Sequence, residues 1–450
     1  MKLVYDVNDK PKFWQLIIYA IQQLLAIMTA TLVVPMIIGH GMSSAAALVG
    51  AGLGTLVYVL FTKKKSPVFL GSSFAFIGSM TAAFAGGVSM SLGYLGLIIG
   101  AIFAGLVYVV IAIIVKFAGV KWINKIMPVV VIGPTVAIIG LSLAGNAVGD
   151  MLKGSIEGVA TSPLITVLCG LITLFITIIC STYGKKTIKL IPFIIGILGG
   201  YAACAIFTII GYSANIDALK VLNVAPFMEL VKNGVNLSTF LSVPDFTIVT
   251  ALKGVGELNP AYIGTIAVAY IPVAFVVFAE HIADHKNISS IIETDLLEEP
   301  GLHRTLLGDG VGSIVGAVFG GCPNTTYGES VGCVAITRNA SVVTIITAAV
   351  LAILIAFISP FIAFVNSIPS CVMGGVCMAL YGFIAVSGLK MVQQVNLNLN
   401  KNLFVVSVIL IAGIGGLTLT FGKITITSIA CALILGIITN VILSKAPNEE

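Results

Sequence analysis

Long apolar stretches alternate with short polar intervals along almost the whole chain, and their lengths indicate membrane-spanning helices. A bilayer core is crossed by about 20 residues of helix, and we predict fourteen spans of roughly this kind. The strong stretches are 13–38, 45–61, 94–115, 129–148, 164–180, 191–210, 263–282, 342–365, 372–392, 403–419 and 424–443, and the weaker ones are 68–85, 306–319 and 327–336. The pattern therefore predicts an all-α polytopic membrane protein.

Composition and charge agree with this class. Hydrophobic residues make up 58% of the chain and charged residues 9%, against about 25% charged in an ordinary soluble domain. In the predicted topology, most of the 23 Lys and Arg residues lie on the same side of the membrane as the amino terminus. Cytoplasmic loops are enriched in Lys and Arg. We therefore expect a multi-pass protein of the cell (inner or plasma) membrane with both termini cytoplasmic. These loops also explain the net charge of +5, so no nucleic-acid partner is expected.

The longest polar interval, about 211–260, divides the predicted spans into seven and seven. Because seven is odd, the two halves have opposite orientations, as in an inverted repeat. In such transporters substrate binds near the midplane, where discontinuous helices of the two halves meet. The sequence therefore predicts a 7+7 arrangement with a site between the halves.

Two corresponding segments contain the expected interruptions. Residues 66–76 and 322–332, in the third and tenth spans, each carry Pro, then Gly, then small polar residues. Pro lacks a backbone donor and Gly weakens a helix. We predict a short extended strand in each span, followed by a half-helix whose free N–H groups could bind carbonyl oxygens. Close helix packing at the glycines is the alternative.

Two carboxylates, Glu280 and Glu329, lie inside apolar stretches. A charge at the bilayer centre costs roughly 2.5–3.5 kcal/mol even on mild scales, so each is expected to face a protein-lined cavity. Asp284 follows Glu280 by four residues and shares its helix face. Repulsion and desolvation favour a proton on one of this pair at neutral pH, as a proton-coupled carrier requires. The alternatives are buried structural hydrogen bonds for the glutamates and a solvated position for Asp284.

Other polar residues in the spans are each consistent with a structural or a functional role. Asp309 begins the ninth span, where a helix-cap role and a transport role are equally consistent with its position. His281 follows Glu280 directly and so points to another face, which favours packing or a hydrogen bond. Gln22 and Gln23 are neutral amides in the first span. One of them could face a ligand, with packing as the alternative for Gln22.

No cofactor or metal is expected. His285 and His303 are predicted beside or within the charged loop 286–304, and the four imidazoles show no metal-ligand spacing. The eight cysteines form no C-x-x-C pair and are predicted to be buried free thiols. The spans contain no nucleophile and base pair, so an enzyme is not expected.

These residues together resemble the nucleobase/ascorbate transporter family, most closely its bacterial uracil-carrying branch. The resemblance covers essentially the whole chain. It is densest at 279–282 (AEHI), 300–304 (PGLHR) and 323–338 (PNTTYGESVGCVAITR), with further matches at 70–76 (LGSSFAF) and 30–35 (ATLVVP). A run of this length is more specific than any single short motif.

The resemblance implies a homodimer that carries a nucleobase by symport with H⁺. It also implies a core domain, in two parts at 1–118 and 261–366, and a gate domain at 119–260 and 367–450. Residues matching Glu280 and Glu329 bind ring N–H groups, and the backbone N–H groups of Phe74 and Gly328 meet carbonyl oxygens. Gln23 is expected at the same site, and Glu280, Asp284 and Glu329 are expected to take part in proton coupling. The residues expected around the site are Ser73, Tyr327, Ser330, His281 and Asp309.

Three positions depart from the family pattern. Gln23 stands where the family usually has His, Asp284 where uracil carriers have His, and Ser330 where Asn is usual. Asp284 is more similar to purine-carrying branches, so xanthine or another purine is the alternative to uracil. An anion carrier or channel of related fold is a more distant alternative, which midplane acids disfavour because anion sites present Arg, Lys or bare helix N-termini.

Overall fold

A computed structural model describes residues 3–119, 128–156, 158–185, 187–232, 234–421 and 424–444. Several predicted topology positions lie outside these residues. They are the extreme termini and Lys121, Lys125 and Lys186, predicted to be cytoplasmic, and Lys423, predicted to lie on the opposite side of the membrane. The described part is mostly helical. Eight of its helical segments are long and apolar enough to cross a membrane, and three shorter apolar helices accompany them. The chain is therefore a multi-pass membrane protein.

The helices of the first half are α1 (Phe13–Ile38), α2 (Ser44–Phe61), α3 (Ile77–Ala83), α4 (Met90–Ala118), α5 (Val129–Ser142), α6 (Ala144–Met151), α7 (Pro163–Tyr183), α8 (Thr187–Leu190) and α9 (Pro192–Ser213). A polar connection with α10 (Ala225–Val231), α11 (Leu237–Phe240) and α12 (Thr247–Ala251) follows. Short 3-10 helices lie at Ala85–Gly87, Asp217–Leu219 and Leu252–Glu257.

The helices of the second half are α13 (Pro260–Ile292), α14 (Leu302–Gly320), α15 (Gly328–Thr337), α16 (Val342–Ile355), α17 (Ser359–Ser367), α18 (Ser370–Val392), α19 (Asn400–Ile414) and α20 (Ser428–Leu443). A π-helical turn, Leu297–Gly301, precedes α14. The strands are β1 (Leu70–Ser72), β2 (Asn324–Thr326), β3 (Leu419–Phe421) and β4 (Ile424–Ile426).

Several helices begin where the sequence supplies a capping side chain. Ser43, Ser89 and Asn259 precede α2, α4 and α13, and each side chain accepts a hydrogen bond from the N–H three residues later, at 3.1, 3.1 and 2.9 Å. These bonds satisfy donors that the first turn of a helix leaves free. Satisfied helix ends matter here because apolar surroundings offer few other partners.

Glycines allow α2 and α14 to approach closely. A Cβ added to Gly50 would lie 2.5 Å from the Gly316 carbonyl oxygen, and one added to Gly54 would lie 2.7 Å from that of Gly312. Small residues at four-residue spacing permit this backbone contact between membrane helices. The contact holds α2 and α14 together beside β1 and β2.

β1 and β2 come from distant parts of the chain and pair antiparallel, with Leu70 opposite Thr326 and Ser72 opposite Asn324. The pairing continues past the strand ends, because the Ser73 N–H donates to the Pro323 carbonyl at 2.9 Å. Each strand then leads to a helix, β1 to α3 and β2 to α15. The strands satisfy each other's extended backbone inside the helical protein.

The helices pack in two groups. One group contains α1–α4 and α13–α16 around β1 and β2, and the other contains α5–α7, α9 and α18–α20. Helix α13 also contacts α5 and α20 of the second group. The space between the two groups contains the cavity described below.

Some predicted boundaries were wrong. α13 continues to Ile292, whereas the sequence predicted a span ending at Ile282. His285 is therefore a fully buried helical residue and not a loop residue, because the Tyr58 hydroxyl and the His281 carbonyl are polar partners for its two ring nitrogens. His303 likewise lies in the first turn of α14. The stretch 342–365 forms two helices, α16 and α17, and not one.

Candidate functional site

A cavity of about 370 Å³ lies between the two helix groups, within the roughly 300–1,000 Å³ usual for small-molecule sites. The ends of β1 and β2, the first turn of α15 and the middle of α13 form one wall. The facing wall is mostly apolar and comes from α5 and α18. Its residues are Val136, Ile139, Leu380, Phe383, Ile384, Ser387 and Met391. One face of the cavity is therefore polar and the other mostly apolar.

The polar wall carries the carboxyl groups of Glu280, Asp284 and Glu329. No Lys, Arg or His side chain is among the described residues that line the cavity. Three acids without a cation favour a ligand that presents hydrogen-bond donors, because an anion would be repelled.

Glu280 and Glu329 differ in their local surroundings. Glu280 lies within α13, and no described residue forms a hydrogen bond to its carboxyl group. Glu329 lies in the first turn of α15, where free N–H groups and the positive end of the helix dipole stabilise a negative charge. Glu280 is thus the carboxyl group that most needs a partner from a ligand or a proton.

Two backbone donors reach the same wall. Among the described residues, the N–H groups of Phe74 and Gly328 have no hydrogen-bond acceptor. Phe74 follows β1 and Gly328 begins α15. Such donors are left free because the chain changes from strand to helix at these points. Backbone donors and carboxyl acceptors therefore lie together in the wall of one cavity.

Asp284 is buried, with 7% of its surface exposed, and is not the solvated residue of the alternative reading. Its Oδ2 accepts a 2.8 Å hydrogen bond from the Thr326 hydroxyl. Ser73 and Tyr327 also line the cavity. The Tyr327 hydroxyl donates to the Ser72 carbonyl at 2.7 Å and so braces β1.

The structure does not bring Gln23 and Ser330 to the cavity wall. Gln23 is buried and its side-chain N–H donates to the Ser330 hydroxyl oxygen. The same oxygen accepts a 2.9 Å hydrogen bond from the Phe69 N–H. The pair therefore joins α1, α15 and the entry to β1 behind the cavity.

His281 and Asp309 also lie behind the wall. Both side chains are fully buried, and His281 Nδ1 lies 2.7 Å from Asp309 Oδ2. The prediction that His281 points away from the face of Glu280 is confirmed. In the part of the chain that the structure describes, no group of three or more His, Cys, Asp or Glu could hold a metal ion, and the eight cysteines are free thiols.

Sequence reasoning missed several residues of the cavity. Asn287 lines it seven residues after Glu280, a spacing that places both on one helix face and could have been noticed. Thr326 lies in the predicted helix interruption. Its role could not be predicted, because the carboxyl group that accepts its hydrogen bond belongs to Asp284, which is distant in the chain. Six of the seven described residues that α5 and α18 contribute to the cavity are apolar, with Ser387 as the exception. In the sequence this wall is therefore hard to tell from lipid-facing helix.

A helical membrane fold with an acid-lined cavity between two helix groups is that of a transporter. The fold is similar to the transmembrane domain of a cyanobacterium bicarbonate transporter, BicA (TM-score 0.63, 15% identity, 97% of this chain and 100% of that chain). It is also similar to SLC26A9 (TM-score 0.64, 10% identity, 96% of this chain and 66% of that chain). These matches show an inverted-repeat-like transporter fold. A family model, Xan_ur_permease, described as "Permease family", matches residues 14–422. The chain belongs to this family, the nucleobase/ascorbate transporters.

Curated relatives match along their whole length. The uracil permease of Bacillus caldolyticus is 38% identical over 450 residues, covering 99% of this chain and 96% of the relative. That of Bacillus subtilis is 38% identical over 457 residues, covering 100% and 97%. The uracil permease of Escherichia coli K12 is 34% identical over 433 residues, covering 96% and 92%.

Proposed function

We propose that this chain imports uracil across the cell membrane by symport with protons. The observation that carries the proposal is that two acceptors, Glu280 and Glu329, share one cavity with the N–H groups of Phe74 and Gly328, which have no acceptor among the described residues. Uracil presents alternating N–H and C=O groups along its edge, which complement this arrangement. Full-length similarity to proteins named uracil permease supports the same substrate.

In this proposal the two glutamates bind ring N–H groups of the base. Glu280 is also the leading proton carrier, because no described residue forms a hydrogen bond to its carboxyl group and it lies far from a helix N-terminus that could stabilise its charge. Asp284, held by Thr326, modulates coupling. Gln23 acts from behind the cavity through Ser330.

The proposed architecture has fourteen spans in a 7+7 inverted repeat, with strands interrupting spans three and ten. The core (1–118 and 261–366) moves against the gate (119–260 and 367–450) in alternating access. The packing of the helices in two groups supports this division. A homodimer is part of the proposal and rests on the family resemblance alone.

The cavity is proposed to be open to the cytoplasm. Its lining follows α13 from Glu280 to Asn287, towards the helix end at Ile292. That end packs against Leu3 of the amino-terminal segment, whose side of the membrane is proposed to be cytoplasmic. In this proposal the cavity opening and the amino-terminal segment share one side of the membrane.

Purine transport is a second candidate, favoured by Asp284, whose carboxyl group adds a third acceptor to the cavity wall. A larger ring system with more N–H groups could use it. Anion transport is a third candidate, because a protein of similar fold is a bicarbonate transporter. Against it, the described residues that line the cavity include three acids and no Lys, Arg or His.

Uptake of radiolabelled uracil into proteoliposomes with an imposed inward proton gradient tests the proposal. We expect accumulation that an uncoupler abolishes, and that excess unlabelled uracil but not xanthine blocks. Uptake blocked by xanthine instead would identify a purine permease. Movement of bicarbonate or chloride without nucleobase uptake would contradict nucleobase transport.

A further inference from the structure

A group of five polar side chains lies buried behind the cavity and takes no direct part in the proposed binding of the base. Its members are Tyr58 from α2, His281 and His285 from α13, and Thr305 and Asp309 from α14, and all five are fully buried. None of them lines the cavity. Hydrogen bonds within the group determine where its protons lie.

His281 uses both ring nitrogens. Nε2 lies 3.0 Å from the Thr305 hydroxyl oxygen, and that hydroxyl donates its own hydrogen to the Leu302 carbonyl at 3.0 Å. A hydroxyl has one hydrogen to donate, so the Thr305 oxygen must accept from His281. His281 Nε2 therefore carries a proton.

The second hydrogen bond of His281, to Asp309, contains one further proton. Nδ1 lies 2.7 Å from Asp309 Oδ2, a distance that requires a hydrogen between the two atoms. That hydrogen belongs either to Nδ1, which makes an ion pair, or to Oδ2, which makes a neutral acid beside a neutral imidazole. The pair is neutral overall in both cases.

The surroundings favour the neutral form. Among the described residues, Asp309 Oδ1 is buried without any hydrogen-bond partner. A carboxylate would leave a charged oxygen unsatisfied there, which costs more than an unsatisfied carbonyl oxygen. The groups facing His281 are the stacked His285 ring, 4.0 Å away between centroids, and the Tyr108 ring at 6.4 Å. Neither ring donates a hydrogen bond to Asp309 Oδ1, so a carboxylate there would stay unsatisfied by the described residues.

The adjacent histidine has the opposite tautomer. His285 Nδ1 lies 2.7 Å from the His281 carbonyl oxygen, which can only accept, so Nδ1 carries the hydrogen. Nε2 then accepts from the Tyr58 hydroxyl at 2.6 Å. Ser66 donates to the Tyr58 oxygen at 2.7 Å and completes the chain. These bonds tie α13 to α2.

We propose that His281 and Asp309 form a neutral pair that shares one proton, keeps it throughout the transport cycle, and positions Glu280. This inference rests on the proposed function for the role of Glu280. Neighbouring helical residues project about 100° apart around the axis, so bonding His281 to α14 turns Glu280 towards the cavity. His281 and Asp309 are positioning residues and do not carry the transported proton.

Nitrogen-15 NMR of histidine-labelled protein in lipid tests the protonation directly. We expect His281 to be neutral with its proton on Nε2, and His285 to be neutral with its proton on Nδ1. Loss of each signal in His281→Gln and His285→Gln assigns them. An imidazolium signal from His281 at neutral pH would overturn the neutral pair. This measurement does not depend on which substrate is carried.

Substitutions of Asp309 test the positioning role. In Asp309→Asn an amide N–H can still donate to His281 Nδ1, whereas Asp309→Ala removes the donor. We expect uracil affinity within about threefold of wild type for Asn and at least about tenfold weaker for Ala, since a buried group loses its partner. Asp217→Asn, in the exposed outer connection, is the matched control.

Two results would overturn the role of the pair. Equal loss of affinity in the Asn and Ala variants would mean that a carboxylate is required. Normal binding and uracil exchange in Asp309→Asn, without proton-driven accumulation, would mean that Asp309 carries the coupled proton. Absence of uracil binding by the wild-type protein would instead contradict the proposed function, and the NMR result would still decide the protonation of the pair.

Discussion

The Thr326 hydroxyl donates a 2.8 Å hydrogen bond to Asp284 Oδ2, which joins β2 to α13 at the cavity wall. The bond links the second helix interruption to the helix that carries Glu280. The other Asp284 oxygen, Oδ1, lies 3.7 Å from the position that a Cβ on Gly328 would occupy. Asp284 is thus beside the proposed backbone donor as well.

Thr326→Val should weaken uracil binding by about three- to tenfold, because a buried carboxyl group loses its donor at a cost of about 1–3 kcal/mol, partly recovered by local rearrangement. The measurement is the uracil dissociation constant of the purified protein. Thr347→Val is the control, since its hydroxyl bonds only the carbonyl of its own helix turn. Unchanged affinity in Thr326→Val would show that Asp284 needs no support from β2.

Glu280→Gln should abolish proton-driven uracil accumulation. Gln is nearly isosteric but cannot take up or release a proton, and its amide replaces one acceptor oxygen by a donor. Uptake with and without an imposed proton gradient measures the effect. Glu229→Gln, at an exposed position in the polar connection between the two halves, should behave as wild type. Accumulation by Glu280→Gln at the wild-type level would remove Glu280 from both proposed roles.

Much of the fold could be predicted because membrane burial produces long apolar stretches, and interrupted helices require Pro and Gly. The Gly-rich segments at 66–76 and 322–332 contain the observed strands β1 and β2. The predicted acids Glu280, Asp284 and Glu329 do lie around one cavity. These features are predictable because each depends on residues that are close together in the sequence.

Features that depend on distant partners could not be predicted. The sequence predicts the end of α13 at Ile282, because Asp284 and His285 are polar and stand next to the charged segment 286–304. They remain inside the helix because Thr326 and Tyr58 satisfy them. The sequence predicts that Gln23 binds the ligand. In the structure its side-chain N–H donates to the hydroxyl oxygen of Ser330, more than 300 residues away in the chain.

Gly71→Ala should disrupt the cavity. The Tyr327 ring packs directly on Gly71, so a Cβ there would overlap the ring atoms, and Tyr327 would have to give up its hydrogen bond to the Ser72 carbonyl. We expect a loss of about 1–3 kcal/mol in stability, measured as a lower unfolding temperature, and a loss of uracil binding. Gly78→Ala is the matched control, because no atom lies within 4 Å of the added carbon. Equal effects of the two changes would contradict the steric explanation.

Gln23 and Ser330, two of the three departures from the family pattern, contact each other, and their substitutions should therefore be non-additive. Ser330→Ala removes the acceptor of both Gln23 and the Phe69 N–H, so it should cost more than Gln23→Ala. Once Ser330 is absent, removing Gln23 should cost little more, with a coupling energy of about 0.5–3 kcal/mol. Uracil affinity and unfolding temperature of the two single variants and the double variant measure this coupling. Additive losses would mean that the two residues act independently. Coupling in unfolding temperature without coupling in affinity would confine the pair to stability and exclude a role for Gln23 in substrate binding through Ser330.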